Sequence, residues 1–261
     1  MIRSTEPQCQ WVSQLFHEER HQFGSGCHVA VECLDDLAAK CHRRIRSRQP
    51  ADVLKIVLGV LFREERFRFG YGDAAECFSL TSTLLNKGGN CLGLTTLLVG
   101  LGSRFDLPLK PLLLEGHVCV CLIDGHERVV IETSRGGALL TERLAKRLHG
   151  ESSGRLLSDE ELLAVHLSNR AAFVLIPRGE RVEALRKLDQ ALELFPDYVG
   201  GRINRTTLLV QMGQVEEAAA ELERVFRLEP GARYQGVAKN LLGQLIAHAV
   251  PSHPEFTTVH W

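Results

Sequence analysis

The chain has 261 residues, of which 44% are hydrophobic, so it is long and apolar enough to bury the core of one large domain or two modest ones. Its 31 Lys and Arg residues are balanced by 32 Asp and Glu residues. No excess of positive charge exists to attract nucleic acid or an anionic membrane surface, and we therefore expect a globular protein that binds neither.

The N-terminal sequence MIRSTEPQCQW lacks the apolar segment of an export signal, and the apolar run from Val57 to Phe62 is too short to span a bilayer. We therefore expect a cytoplasmic protein whose eight cysteines are reduced thiols. Five residues of metal-binding types cluster near the N-terminus, at Cys27, His28, Cys33, Cys41 and His42. They include no Cys-x-x-Cys pair, so we favour buried small residues over a zinc site and expect neither a metal nor a cofactor.

The first 70 residues predict a helical region. Apolar residues recur at helical spacing from Leu34 to Ile45 and from Leu54 to Phe62. A third helix is predicted over residues 75–85. We expect this helix to end in the sequence Asn-Lys-Gly-Gly that follows it, because successive glycines break regular structure.

A further helix is predicted to begin within GGNCLGLTTLL, residues 88–98. Asn90 is a favoured N-cap residue, because its side chain accepts hydrogen bonds from the backbone N–H groups of the first turn. Apolar residues then recur at helical spacing, and we expect the helix to end near Arg104. This places Cys91 in the first turn of the helix.

Extended segments follow this helix. Residues 109–114 predict a strand. Residues 117–123 and 126–132 predict the two strands of a hairpin, and the Asp-Gly pair at 124 and 125 between them is a typical two-residue turn. With these two turn residues, His117 would lie directly opposite Glu132 on the same face of the hairpin.

Residues 139–148 predict another helix, and the sequence GESSG at 150–154 predicts a linker. Beyond the linker, identical residues recur at a spacing of 34, which is the period of tetratricopeptide helix pairs. The matching pairs are Gly179 and Gly213, Glu183 and Glu217, Ala184 and Ala218, Leu188 and Leu222, Leu194 and Leu228, and Pro196 and Pro230.

We expect two repeats, at 166–196 and 200–230, and a capping helix from Val237 to Ala249. About three repeats are needed for independent stability, so this module should pack against the preceding region. The first helix of the second repeat carries polar residues that a solvated face explains as well as ligand binding does, namely Arg202, Asn204 and Arg205.

The domains are therefore predicted at 1–150 and 155–250, followed by a tail at 251–261. The first domain combines a helical N-terminal region with helix and sheet, and the second consists of helical repeats. We expect the repeats to bind a protein or peptide.

Cys91 has the setting of a nucleophile. A thiol attacks as its thiolate, and the positive end of a helix dipole lowers the pKa of a thiol. An imidazole can act as base for such a thiol and a carboxylate can orient the imidazole, and the hairpin supplies His117 and Glu132 for these roles. Cys119 and Cys121 share the face of His117 by strand alternation, so a metal site with Cys91 is an alternative, but buried thiols are the simpler interpretation.

The order of these residues resembles the transglutaminase-like superfamily, in which a Cys begins a helix packed on an antiparallel sheet that carries His and then Asp. The motifs that carry this resemblance are GNCLGL, GHVCV-x3-DG and VVIETS. The chain is further similar to the SirB-type family, which joins such a domain to C-terminal tetratricopeptide repeats. That similarity extends over residues 52–235. The stretches that carry it are LFRE at 61, YGD at 71, SL at 79, LPL at 107, GH at 116 and GG at 136.

The resemblance implies an α+β fold, in which a transglutaminase-like (papain-like) helix-plus-antiparallel-sheet domain precedes an all-α tetratricopeptide module. It also implies a peptidase, amidase or acyl transferase with Cys91 as nucleophile, His117 as base and Glu132 as acid. The acid is usually Asp in the superfamily and is Glu here, one methylene longer. Many SirB-type sequences lack the cysteine, so the alternative is a catalytically inactive scaffold that binds partner proteins.

Overall fold

A computed structural model of the chain describes residues 10–70, 76–125, 127–141, 144 and 154–249. Helices dominate the region before the central sheet. The elements of this region are α1 (Gln10–Phe23), α2 (Gly26–His42), α3 (Pro50–Leu58), β1 (Arg68–Phe69), α4 (Leu80–Asn86), β2 (Gly88–Gly89) and α5 (Cys91–Ser103).

The predicted helical character of the first 70 residues is confirmed over the part that the structure describes. α2 buries Leu34, Leu37 and Cys41 along one face, and α3 continues into a π-helical turn at Gly59–Glu64. Pro50 lies in the first turn of α3, where its missing N–H costs no helical hydrogen bond. Both helices contact α5 and bury their apolar faces in the main core of the molecule.

The prediction for α4 is wrong at its N-terminus. This helix begins five residues later than predicted, at Leu80, because the Ser79 side chain accepts a hydrogen bond from the first turn and caps the helix there. It ends before the glycines as expected, at Lys87, whose φ is 51°. The two glycines nevertheless form strand β2, which pairs in parallel with β1, so the expectation that they break all regular structure is wrong.

A five-stranded antiparallel sheet follows α5 in the described part of the chain. Its strands are β3 (Leu109–Leu114), β4 (His117–Asp124), β5 (Glu127–Glu132), β6 (Ala138–Leu140) and β7 (Arg155–Leu156). Their spatial order is β6-β5-β4-β3-β7. α5 packs on β3 and β4, and its residues 92–102 are all buried, so it is the central helix of this region.

The predicted hairpin is confirmed, but its turn lies one residue later than predicted. Asp124 is still paired in the ladder between β4 and β5, and Gly125, whose φ is 59°, lies in the turn. When this register is extended, Glu132 falls level with Cys119. The prediction that His117 lies directly opposite Glu132 is therefore wrong, although a shift of two residues keeps both on the same face.

The helix predicted from residue 139 does not begin there. Residues 139 and 140 belong to β6, which pairs with β5. Gly136 and Gly137, with φ of 66° and 77°, reverse the chain after β5 and return it to the sheet. Most of the rest of this predicted helix, and most of the predicted linker, lie outside the described residues.

The C-terminal region is all-helical, as its repeat period predicts. Its helices are α6 (Asp159–Arg170), α7 (Arg181–Leu194), α8 (Val199–Gln211), α9 (Val215–Arg227) and α10 (Ala232–Ala249). α6 continues into a π-helical turn at Ala171–Leu175. Leu188 and Leu222, which occupy equivalent repeat positions, are both buried.

The repeats pack against the preceding region, as their small number predicts. The main apolar core extends from α5 and the sheet through α6 to Ala191, Phe195 and Tyr198. An ion pair between Lys187 of α7 and Glu18 of α1 adds a polar contact between the two regions. The predicted α+β fold with a C-terminal helical module is thus confirmed. No helix within the described ranges is long and apolar enough to cross a membrane.

Candidate active site

Cys91 begins α5, and Asn90 accounts for the position of this helix start. The Asn90 Oδ1 atom accepts hydrogen bonds from the backbone N–H groups of Leu92 (2.9 Å) and Gly93 (3.1 Å), which confirms the predicted N-cap. Cys91 is partly exposed, whereas the following eleven residues of α5 are buried. The thiol therefore lies where a buried helix with a positive N-terminus reaches the surface.

Two glycines let α5 approach α4 closely at this point. A Cβ atom added at Gly93 would lie 2.3 Å from Thr83 Oγ1 and 2.9 Å from the Cys77 carbonyl oxygen. A Cβ atom at Gly89 would meet the same two atoms at 2.5 and 2.9 Å. The side chain at either position must therefore be a hydrogen for Cys91 to keep its place.

We expect Gly93→Ala to destabilise the protein by about 2 kcal/mol, because the added methyl group overpacks the contact between α4 and α5. The free energy of unfolding in urea measures this effect. Gly236→Ala is the matched control, since a Cβ atom there meets nothing within 4 Å and alanine favours a helix. Equal stability of the two variants would contradict the close contact.

His117 and Glu132 are joined by a hydrogen bond in spite of the shifted register. The Nε2 atom of His117 lies 2.9 Å from Oε2 of Glu132. The Glu132 side chain is fully buried, and the His117 side chain is 18% exposed. Cys91 lies near enough to His117 for the charges of the thiolate and the imidazolium to act on each other. Cys91, His117 and Glu132 are thus coupled in that order.

Ser134 holds the carboxylate of Glu132 from the side opposite His117. Its backbone N–H and its hydroxyl group both donate to Oε1 of Glu132, at 3.1 and 2.7 Å. Glu132 thereby caps the short 3-10 helix Thr133–Arg135. This role of Ser134 was not predicted, although a serine two residues after an acidic residue at a strand end is a local signal for such a cap.

The electrostatics favour an ion pair between Cys91 and His117. Burial opposes ionisation of Cys91, but the hydrogen bond and charge of His117 and the N–H groups of Val118 and Leu92 outweigh it and lower the pKa of the thiol. Burial likewise opposes protonation of His117. Its hydrogen bonds to Cys91 and Glu132 outweigh that effect and raise its pKa to about 9.

Glu132 is the anionic partner of His117. Burial alone would raise its pKa, but the hydrogen bonds from His117 and Ser134 dominate and lower it to about 2. The carboxylate is therefore ionised throughout the neutral range, and it stabilises a protonated His117.

The two other cysteines of β4 do not extend this arrangement. Cys119 is fully buried in a cluster with Leu114, Val130 and Leu140, and burial raises its pKa to about 12. Cys121 is also buried. Among the described residues, no three His, Cys, Asp or Glu side chains are grouped so that they could hold a metal ion.

The candidate cluster near the N-terminus is dispersed. Cys27 and Cys41 are buried in the main apolar core, as the interpretation of small core residues predicts. His28 is exposed on α2 and pairs with Glu32 one turn later, at 3.4 Å.

The polar residues of α8 are engaged within the repeat module. Arg202 and Arg205 both form ion pairs with the buried carboxylate of Glu221. Asn204 donates to the Ser168 hydroxyl group at 3.0 Å. These contacts give the three candidates a packing role between α6, α8 and α9.

The repeats also reach the candidate active site, a contact that the sequence did not predict. Glu115, in the turn before His117, accepts a hydrogen bond from the Tyr234 N–H at the start of α10 (2.7 Å). Burial raises the pKa of the Tyr234 hydroxyl group, and the Gly116 backbone opposes this effect. Tyr198 lies close enough to Cys91 for the thiolate charge to act on it, and burial together with this charge raises the pKa of Tyr198.

Comparisons with known families agree with this architecture. Residues 29–174, more than half of the chain, match the family model of the transglutaminase-like superfamily. Residues 175–246 match the tetratricopeptide repeat, a protein-interaction module. A search of curated proteins finds no match. The chain therefore belongs to the transglutaminase-like superfamily and carries tetratricopeptide repeats behind the superfamily domain.

Proposed function

We propose that the protein is a cysteine-dependent enzyme that processes amide bonds by acyl transfer. The observation that carries this proposal is the hydrogen bond between His117 and Glu132 beside a thiol that His117 influences electrostatically, with that thiol at the N-terminus of α5. A lowered thiol pKa, a raised imidazole pKa and a buried carboxylate are together the arrangement that an activated cysteine requires.

The reaction begins from the Cys91 thiolate and the protonated His117. The thiolate attacks the carbonyl carbon of the amide, and the Cys91 backbone N–H at the helix start stabilises the negative oxygen of the tetrahedral intermediate. When the C–N bond breaks, His117 donates its proton to the leaving amine, and a thioester with Cys91 remains.

The second half of the reaction regenerates the enzyme. His117, now neutral, takes a proton from water or from an amine, which attacks the thioester carbonyl carbon. The Cys91 thiolate leaves with the bonding electrons. Water yields a peptidase or amidase, and an amine yields a transglutaminase-type reaction. Glu132 keeps the imidazole oriented in both halves.

We also propose a family, domain boundaries, a class of substrate and a cellular compartment for the protein. We assign the chain to the SirB-type family, with a catalytic domain at 1–150, a repeat domain at 155–250 and a tail at 251–261. Tetratricopeptide repeats support a protein or peptide as substrate or partner. The described cysteines carry reduced thiols, which fits the cytoplasm as the compartment.

A catalytically inactive scaffold is the second candidate function. It is favoured by the repeat match and by the Glu at a position where the superfamily has Asp. In that case the core would serve as a frame, and the repeats would dock a partner protein. The reactivity of Cys91 distinguishes this function from acyl transfer.

We expect iodoacetamide to alkylate Cys91 before the other cysteines, and still to do so at pH 6. An ordinary thiol with a pKa of about 8.5 is almost fully protonated at that pH. Burial raises the pKa of Cys41 to about 11 and that of Cys119 to about 12, so these two should react last. Peptide mapping by mass spectrometry between pH 5 and 10 gives the rate for each site.

The partly buried Cys33 is the internal reference for this measurement. A Cys91 rate that equals the Cys33 rate, and rises only above pH 8, would refute the activated thiol and favour the scaffold. If Cys91 is activated, incubation with a peptide library and a primary amine should trap acylated Cys91 or amine-linked products, which identifies the reaction.

A further inference from the structure

A cavity of about 180 Å³ lies between the sheet and the repeats. We call it the repeat-side pocket, and its main lining residues are Leu113, Leu114, Phe195, Tyr198, Val199 and Tyr234. Leu113 and Leu114 come from β3, whereas the other four come from the loops and helix starts of the repeats. The pocket thus exists only because the two family regions pack together.

One wall of the repeat-side pocket is a fixed aromatic stack. The rings of Phe195 and Tyr198 lie 5.3 Å apart with an interplanar angle of 13°, and the Arg155 guanidinium covers Phe195 at 4.5 Å. The Tyr198 ring also lies across the first turn of α8, where a Cβ atom at Gly200 would come within 2.9 Å of it. Such a wall is rigid before any ligand binds, which lowers the entropic cost of binding.

The repeat-side pocket adjoins the candidate active site. Leu114 pairs directly with His117 in the β3–β4 ladder. Between them, Glu115 is bound to the Tyr234 N–H at 2.7 Å, so the turn that leads into His117 is also the rim of the pocket. Tyr198, on the opposite wall, is within electrostatic reach of Cys91.

The lining selects the chemistry of the ligand. Apolar side chains form most of the walls, and a dry cavity of about 150 Å³ with apolar walls already accepts a benzene ring. The carboxylates of Glu115 and Asp197 and the guanidinium group of Arg155 also line the pocket, so these opposite charges largely offset each other and favour an uncharged ligand. An uncharged aromatic or branched aliphatic side chain fits both the size and the charge.

We propose that the repeat-side pocket is a substrate subsite, which receives an aromatic or branched aliphatic side chain adjacent to the carbonyl group that Cys91 attacks. This inference rests on the proposed acyl transfer at Cys91. The repeats would then select the substrate by lining the pocket beside the reacting bond, in addition to any docking on their outer surface.

Binding of two model amides to the Cys91→Ala protein tests the pocket without any chemistry. We expect N-acetyl-phenylalanine methylamide to bind about tenfold or more tightly than N-acetyl-alanine methylamide, as measured by NMR titration, because its ring is buried. Val199→Trp should fill the pocket and abolish this preference. Val182→Trp is the matched control, because Val182 is 80% exposed on α7 and lies outside the pocket.

If Val199→Trp fails to fold, Gly200→Ala replaces it, since the added methyl group displaces the Tyr198 wall, with Gly236→Ala as its control. In the wild-type protein, the phenylalanine amide should also protect Cys91 from iodoacetamide. Equal binding of the two amides, or a preference that survives both pocket variants, would overturn the subsite. Binding without protection would show that the pocket does not adjoin the reacting thiol, whereas an unactivated Cys91 would overturn only the proposed enzyme activity.

Discussion

Replacing Cys91 by alanine should abolish acyl transfer, with a loss in kcat/KM on the order of 10⁴-fold or more, because the attacking thiol is removed. The measurement uses a substrate identified by the trapping experiment. Cys33→Ala is the matched control, since this partly buried thiol of α2 is also lost but takes no part in the site.

His117→Ala sharpens this result. Without the imidazole, burial is opposed only by the N–H groups of Val118 and Leu92, so the pKa of Cys91 should rise and its alkylation at neutral pH should slow by about tenfold for each unit of the rise. Retained turnover in Cys91→Ala would exclude Cys91 as the nucleophile. Retained partner binding with no turnover in any variant would favour the scaffold.

Glu132→Gln should cost about 3 kcal/mol of folding free energy at pH 7. The folded-state pKa of Glu132 is about 2 against a usual 4.5, and a difference of this size corresponds to about 3 kcal/mol of stabilisation of the ionised form. The glutamine keeps the shape of the side chain and can still accept from Ser134. It removes the charge that stabilises a protonated His117.

The pH dependence of this effect has a definite sign. A depressed carboxyl pKa stabilises the fold above pH 4.5, and this contribution is lost as the pH falls from 4.5 towards 2. The stability difference between wild type and Glu132→Gln, measured in urea, should therefore shrink between pH 7 and pH 3. Glu127→Gln is the control, because Glu127 is exposed on the same strand. A constant difference, or one as small as in the control, would contradict the buried ion pair.

The structural features that could be predicted from the sequence are those that depend on residues close together in the chain or on a regular period. Asn90 caps α5 through hydrogen bonds to residues two and three positions away, so its role is visible in a short stretch of sequence. The apolar spacing of α2 and the 34-residue repeat period are likewise local or periodic signals.

The predictions of the hairpin turn and of a helix from residue 139 were wrong because a local pattern competed with pairing between strands. Asp-Gly is a favoured turn pair, but the turn begins one residue later, at Gly125, and Asp124 stays in the ladder, because the strand pairing decides the register. Residues 139 and 140 have a helical pattern in sequence, but their pairing with β5 makes them a strand. Tertiary pairing overrides local propensity in both cases.

The parts of the site that sequence could not predict come from distant segments. Tyr198 and Tyr234 lie in repeats whose apolar pattern specifies helix packing but not the surface they meet. Only the docked arrangement brings them beside the turn that carries His117. Cys91, His117 and Glu132 could be proposed together from the sequence because they lie within one helix and one hairpin.

The place where the two family matches meet has a consequence for how the protein can change. The matches abut at 174 and 175, inside the π-helical turn Ala171–Leu175, and the apolar core runs across this point to Tyr198. The transglutaminase-like domain and the repeat module therefore cannot be exchanged separately, unlike domains joined only by a flexible linker. A different repeat array would also have to supply one side of the main apolar core and the walls of the repeat-side pocket near Cys91. The repeats and the candidate active site must therefore evolve together.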